Sequence, residues 1–121
     1  MESYDPEVDP HAKTWLKLDE GERIILVEDY HRLAHVRLPN ATVHAAVHVT
    51  VENQLAMRLP VVVDTFARLR AEGLDRHAAI HAIGFVLVEH LQRQIAAPTA
   101  DPNAAYDASL QKLSAAQFRD A

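Results

Sequence analysis

Cysteine is absent from this chain of 121 residues, which excludes disulfide bonds, thiolate nucleophiles and cysteine-based zinc sites. Glycine is scarce, and its three occurrences form no glycine-rich phosphate loop. The few serines all lie in terminal segments, which argues against a serine-based catalytic triad. The residues concerned are Gly21, Gly73, Gly84, Ser3, Ser109 and Ser114.

Positive charge and long apolar runs are also in short supply. Lys and Arg number 12 against 17 Asp and Glu, and no basic cluster occurs, so we expect no nucleic-acid partner. No apolar stretch reaches the roughly 18 residues that would indicate a membrane span. The start, Met1 to Pro6, is acidic and lacks the basic and apolar regions of a signal peptide. These features predict a cytoplasmic protein without a membrane partner.

The composition that remains is that of a globular domain, with 49% hydrophobic and 24% charged residues. Apolar residues recur at helical spacing between capping and breaking residues, which predicts an all-α fold. We predict a small bundle of about four core helices plus a C-terminal helix. The predicted segments are an extended N-terminal arm at 1–14, a helical bundle at 15–96, a linker at 97–102 and a C-terminal helix at 103–118.

Local signals place the ends of the core helices. They predict helices from Asp19 to about Val36, from Asn40 over 41–58, from Pro60 to Gly73, and from Asp75 to about Ile95. Pro39 is expected to stop the first of these helices. Helical stepping then predicts the buried positions, among them Leu26, Val27, Leu33, Val43, Val47, Val51, Leu55, Val63, Phe66, Leu69, Ile80, Ile83, Leu87, Leu91 and Ile95.

Histidine is the one abundant residue type whose side chain suggests a specific chemical function. Six of the eight histidines form His-x-x-x-His pairs, namely His31/His35, His44/His48 and His77/His81. Residues four apart lie one above the other on a helix, so both imidazoles of a pair can face one ion.

Two of these pairs predict a metal site between facing helices. His44, His48 and Glu52 continue one series on the second core helix, and His77 and His81 lean inward from the fourth. A thiolate-free, imidazole-rich set suits a single transition-metal ion, zinc first, with nickel, iron or copper as alternatives. The same pattern also fits partly buried histidines that are hydrogen-bonded for structural reasons, and the sequence leaves both interpretations open.

The other candidate residues carry weaker predictions. We expect His31 and His35 in a solvated or capping role, and His11 and His90 on the surface. Glu28 and His31 have the Glu-x-x-His spacing of carboxylate di-iron bundles, but no second copy of that motif exists. Either Asn53 or Gln54 is a candidate to orient the Glu52 carboxylate, with the other on the surface.

The segment from Pro39-Asn40 through His44-x-x-x-His48-x-x-x-Glu52-Asn53-Gln54-Leu55, followed by Gly73 and His77-x-x-x-His81, resembles a bacterial domain family of unknown function, number 1841. The resemblance covers about residues 39–92. It implies that His44, His48, Glu52, His77 and His81 form a shared polar set, but it implies no activity. Such sequences tend to carry a further acid where this chain has Phe85, which favours one ion over two.

Three functional hypotheses follow. The first is a metal-binding helical domain, structural if four histidines ligate and hydrolytic if three ligate and Glu52 acts as a base. The second is a non-catalytic, homodimerising interaction module that pairs through the arm around Trp15 or through the C-terminal helix. The third is a metal-free enzyme or sensor that uses His and Glu as acid and base.

Overall fold

The computed structural model describes residues 1–34 and 40–119, and within them the chain is all-helical, as predicted. The predicted end near Val36, the stop at Pro39 and the partner His35 lie outside the described residues. The described helices are α1 (Ala12–Lys17), α2 (Glu20–Leu33), α3 (Ala41–Ala56), α4 (Pro60–Ala71), α5 (Arg76–Ala96), α6 (Pro102–Lys112) and α7 (Ala116–Arg119). None of these helices combines the length and apolar character needed to cross a membrane.

Short-range chemistry starts and stops the core helices where the sequence predicts. Asp19, Asn40 and Asp75 each accept a hydrogen bond from the backbone N–H three residues later, which satisfies one free donor at a helix start. Gly73 follows α4 with φ of 107°, a conformation that only glycine adopts without strain.

The helices bury two groups of apolar side chains on either side of α3. The larger group, the main core, joins α3, α4, α5 and α6 and includes Leu69, Ile83 and Leu110. The smaller group, the arm-side core, joins the arm, α1, α2 and α3 and includes Trp15 and Val27. Helix α3 is therefore covered from two sides, and its polar residues can be enclosed between the two cores.

This double coverage changes which face of α3 is buried. The predicted stripe is wrong at its first member, because Val43 is 55% exposed, whereas Ala45, His48 and Val49 are buried. A single stripe describes a helix with one packed face, and α3 packs against both α2 and α5.

Other predicted core positions are exposed at helix ends. Leu33 at the end of α2 is 68% exposed, and Ile95 near the end of α5 is 84% exposed. Helix α5 has 21 residues, whereas its packing partners α3, α4 and α6 have 16, 12 and 11. The last apolar residues of α5 therefore continue the periodic pattern beyond the point where a neighbouring helix covers them.

The N-terminal segment is shorter than the predicted 1–14 arm, because His11 caps a helix that begins at Ala12. We call residues 1–11 the arm. Trp15 anchors it as predicted and is fully buried, so it offers no surface for pairing. The predicted C-terminal helix is two helices, α6 and α7, and its Tyr106 and Leu110 belong to the main core.

Candidate metal centre

Five histidine rings meet where α2, α3 and α5 approach one another. His31 comes from α2, His44 and His48 from α3, and His77 and His81 from α5. One ring nitrogen from each of His31, His48, His77 and His81 lies within 4.8 Å of the other three. We call these four the histidine cluster. Both members of the α5 pair belong to it, because residues four apart share a helix face, whereas the α3 pair contributes only His48.

The structure thus brings together the two pairs predicted from their spacing and adds a histidine that was expected elsewhere. His31 is 2% exposed, so its predicted solvated or capping role is wrong. The position of His44 also differs from the prediction, because His44 lies beside the cluster rather than within the four-nitrogen group. Its Nε2 is 3.2 Å from Nε2 of His31.

Hydrogen bonding fixes which nitrogen of His48 faces the cluster. The Tyr4 hydroxyl donates its proton to the carboxylate of Glu52 and lies 3.0 Å from Nδ1 of His48. With its proton committed to Glu52, this hydroxyl can only accept from His48, so Nδ1 carries the imidazole proton. The Nε2 atom of His48 is left with a free lone pair.

The same logic applies to His31. Its Nδ1 lies 2.8 Å from the backbone carbonyl oxygen of Val27, an acceptor, so Nδ1 carries the proton and Nε2 has the lone pair. His44 donates its Nε2–H to that lone pair across 3.2 Å, so a metal ion bound to Nε2 of His31 would replace this hydrogen bond. Metal-binding histidines usually donate their other ring N–H to an outer acceptor, as Nδ1–H does in His31 and His48.

Two ring nitrogens of the cluster have no hydrogen-bond partner. Nε2 of His48 and Nε2 of His77 are both buried, and no donor or acceptor among residues 1–34 and 40–119 reaches them. Buried polar atoms in proteins are almost always paired, so two unpaired nitrogens in one cluster require an explanation such as a bound ion.

The surroundings of His44, His48, His77 and His81 favour their neutral imidazole form. Burial, followed by the charges of the neighbouring histidines, lowers the pKa of His48 to about 2. Burial, followed by the charges of nearby histidines, lowers the pKa of His77 to about 4 and that of His81 to about 3. The pKa of His44 is lowered for the same reasons. Neutral imidazole is the form that binds a metal.

Glu52 is buried beside the cluster but is bound to an arginine. Both of its oxygens accept hydrogen bonds from Arg76, each at 2.7 Å, and the side chains of the pair are 1% and 4% exposed. Glu52 was predicted as a metal ligand. Its carboxylate instead forms a bidentate ion pair with Arg76 and accepts a hydrogen bond from Tyr4. Burial and the charge of Glu52 raise the pKa of Tyr4, which keeps the hydroxyl protonated.

Arg76 also fastens the arm to the start of α5. Its Nη1 donates to the carbonyl of Pro6 at 2.9 Å, and its Nε donates to Asp9 at 2.7 Å. Burial alone would lower the pKa of Arg76, but the hydrogen bonds and charge of Glu52 outweigh it and raise that pKa. Glu7 of the arm accepts the backbone N–H of His77 at 2.7 Å.

The remaining candidates have other partners. Asn53 accepts from the Trp15 indole at 2.8 Å and Gln54 accepts from the Tyr106 hydroxyl at 2.8 Å, so each amide oxygen has a partner outside the cluster. Glu28 accepts from Thr42 at the surface, 3.3 Å away.

Of the two histidines predicted on the surface, one is exposed and one is buried. His11 is exposed and caps α1. His90 is 8% exposed and packs near Tyr106, so its prediction is wrong. Sequence reasoning missed Tyr4, which lies far from the histidines along the chain, and Arg76, which is next to His77 but does not share its helix face. It also gave too little weight to His31, whose pairing with His35 was a usable signal.

No protein-family model, curated protein or solved structure matches this chain. The resemblance to domain family 1841 stays a prediction, and the case for a function rests on the geometry of the cluster.

Proposed function

We propose that this protein binds one transition-metal ion, zinc first, through His31, His48, His77 and His81. The observation that carries the proposal is the convergence of four ring nitrogens within 4.8 Å, two of them buried without a partner. Tetrahedral zinc with bonds of about 2.0–2.1 Å would place its ligands about 3.3–3.4 Å apart, so loading requires the widest pair of nitrogens to approach by no more than about 1.5 Å.

The donor set favours a transition metal over magnesium or calcium, which prefer oxygen ligands. Nickel, iron and copper remain alternatives to zinc on the same chemistry. Glu52 is held by Arg76 and Tyr4, so it is poorly placed to act as a general base. This arrangement supports a metal-binding role and supplies no described residue for the hydrolytic hypothesis.

Elemental analysis of untagged protein, purified without chelators, tests the proposal. We expect about one ion per chain in the wild type and near-complete loss in a His48→Ala/His77→Ala double variant. His11→Asn is the matched control, since it removes an exposed histidine while keeping a capping side chain. A wild type that stays metal-free after incubation with excess zinc, nickel or iron would contradict the proposal and leave the interaction module as the better hypothesis.

Tyr4 is expected to position His48 for the metal. Replacing it in Tyr4→Phe removes the acceptor that fixes Nδ1–H of His48, and loss of such an outer partner typically lowers metal affinity by about 10–100-fold. Competition against a chromophoric chelator measures the change. Tyr106→Phe, which removes a hydroxyl bound to Gln54, should leave the affinity unchanged. A folded Tyr4→Phe variant with wild-type affinity would refute this role.

A further inference from the structure

A cavity of about 490 Å³ opens beside the histidine cluster, between α3, α5 and α7. Its volume lies within the range of about 300–1,000 Å³ that is typical of small-molecule sites. Three imidazoles form part of its wall, those of His44, His48 and His81. Two of these, His48 and His81, belong to the proposed ligand set, so the cavity borders the proposed metal position.

The rest of the wall is almost entirely apolar. Val43 and Val47 line it from α3, Phe85 and Val88 from α5, and Phe118 from α7. Phe85 and Phe118 meet edge to face with ring centroids 5.8 Å apart. Val43 and Phe85 are each more than half exposed, so they mark the mouth of the cavity.

Gly84 allows the two helices to approach at the back of this wall. A Cβ atom at that position would lie 2.9 Å from Cγ1 of Val47, closer than real Cβ contacts. The absence of a side chain there lets α3 and α5 approach closely beside their histidine pairs.

Charge determines what kind of head group this cavity would favour. Histidine ligands carry no charge, so four of them would leave a bound divalent ion with its full double positive charge. Glu52, the only buried carboxylate within residues 1–34 and 40–119, is already paired with Arg76. An unbalanced cation beside an apolar wall attracts an anion. Zinc is usually four-coordinate but can expand to five ligands, so the anion would bind as a fifth ligand beside the four histidines.

We propose that the cavity binds a medium-chain carboxylate, with its head on the metal and its chain against Val47, Val88 and Phe118. The proposal rests on the proposed metal site and adds to it the class of molecule that reaches the ion. The carboxylate complements the charge of the ion, and the alkyl chain complements the apolar wall.

Cobalt(II) in place of the natural ion makes both steps visible. Cobalt content and the visible absorption bands report loading of the site, and titration with octanoate reports ligand binding. Each buried methylene strengthens binding about fourfold, so octanoate should perturb the bands at a concentration at least about 50-fold lower than acetate. 1-Octanol, which has the chain without the carboxylate, should leave the bands unchanged. Metal-free protein should bind octanoate at least about tenfold more weakly than the cobalt form, as judged by calorimetry.

Val88→Phe is designed to fill the cavity and should weaken octanoate at least about tenfold while cobalt content stays the same. Leu91→Phe is the matched control on the same helix, because Leu91 is exposed and does not line the cavity. If Val88→Phe does not fold, the acetate-to-octanoate comparison in the wild type carries the test alone.

The outcomes separate the two proposals. Failure of the wild type to take up cobalt or any other ion defeats the metal site itself. If the protein takes up cobalt but its absorption bands do not change with octanoate, or change equally with acetate, only the cavity proposal is overturned. The cavity proposal is also overturned if metal-free protein binds octanoate as tightly as the cobalt form does. A stable dimer that closes the cavity, detected by sedimentation, would overturn it as well.

Discussion

Replacing Arg76 by leucine is expected to destabilise the metal-free protein by about 3–5 kcal/mol, a large part of the roughly 5–15 kcal/mol that holds a domain of this size together. The substitution strands Glu52, whose side chain is 1% exposed and whose two oxygens both bind Arg76. A buried charge without its partner carries the full penalty of desolvation. Urea unfolding at neutral pH with a chelator present measures the effect.

A double variant distinguishes this explanation from a simple loss of packing. Arg76→Leu/Glu52→Leu removes both charges, so it should recover much of the stability lost in Arg76→Leu alone. Arg93→Leu serves as the control, since Arg93 is 64% exposed and its ion pair with Glu89 should contribute less than about 1 kcal/mol. An Arg76→Leu variant as stable as Arg93→Leu would show that the buried pair is not what holds Glu52 in place.

The metal-free protein is also expected to lose stability steeply in mild acid. The folded-state pKa values of His48 and His77 are lowered to about 2 and about 4, whereas an unfolded histidine titrates near 6.5. Below about pH 6.5 the unfolded chain therefore binds protons that the folded chain does not, and the free energy of unfolding falls as pH falls. The contribution is complete above that pH.

Each of these two groups contributes up to about 1.4 kcal/mol per pH unit, so together they should remove about 5 kcal/mol between pH 7 and pH 4.5. His81 acts in the same direction, with its effect reduced by exposure to solvent. Urea unfolding at several pH values measures the slope. His48→Gln should make it shallower, and His11→Asn should not change it; equal slopes in all three proteins would contradict this origin of the acid sensitivity.

The sequence predicted those parts of the fold that short-range chemistry decides. Asp19, Asn40, Asp75 and Gly73 act on backbone groups within a few residues, so their roles can be inferred without knowing how the helices pack. Val43 was predicted wrongly because its exposure depends on which helices cover α3. Apolar periodicity shows that a helix has a buried face but does not show how wide that face is.

The candidate site likewise has some contacts that the sequence could predict and others that it could not. Spacing four apart was enough to pair His44 with His48 and His77 with His81, because that relation lies within one helix. The contribution of His31 depends on the packing of α2 against α3, and the partnership of Glu52 with Arg76 joins residues 24 positions apart. Nothing local in the sequence specifies such contacts, so Glu52 was assigned to the metal when its charge is already matched.

The arm described above also bears on the order in which the molecule assembles. Its contacts join residues far apart along the chain: 44 positions separate Tyr4 from His48, and 70 separate Pro6 from Arg76. Contacts of this kind require a long loop to close and so form late, after the helices have built their local turns. During synthesis, Tyr4 emerges early but meets its partners only after α3 and α5 have followed. The hydrogen bond that orients His48 therefore forms only once the arm has docked, and the proposed metal site would reach its full affinity only at that stage.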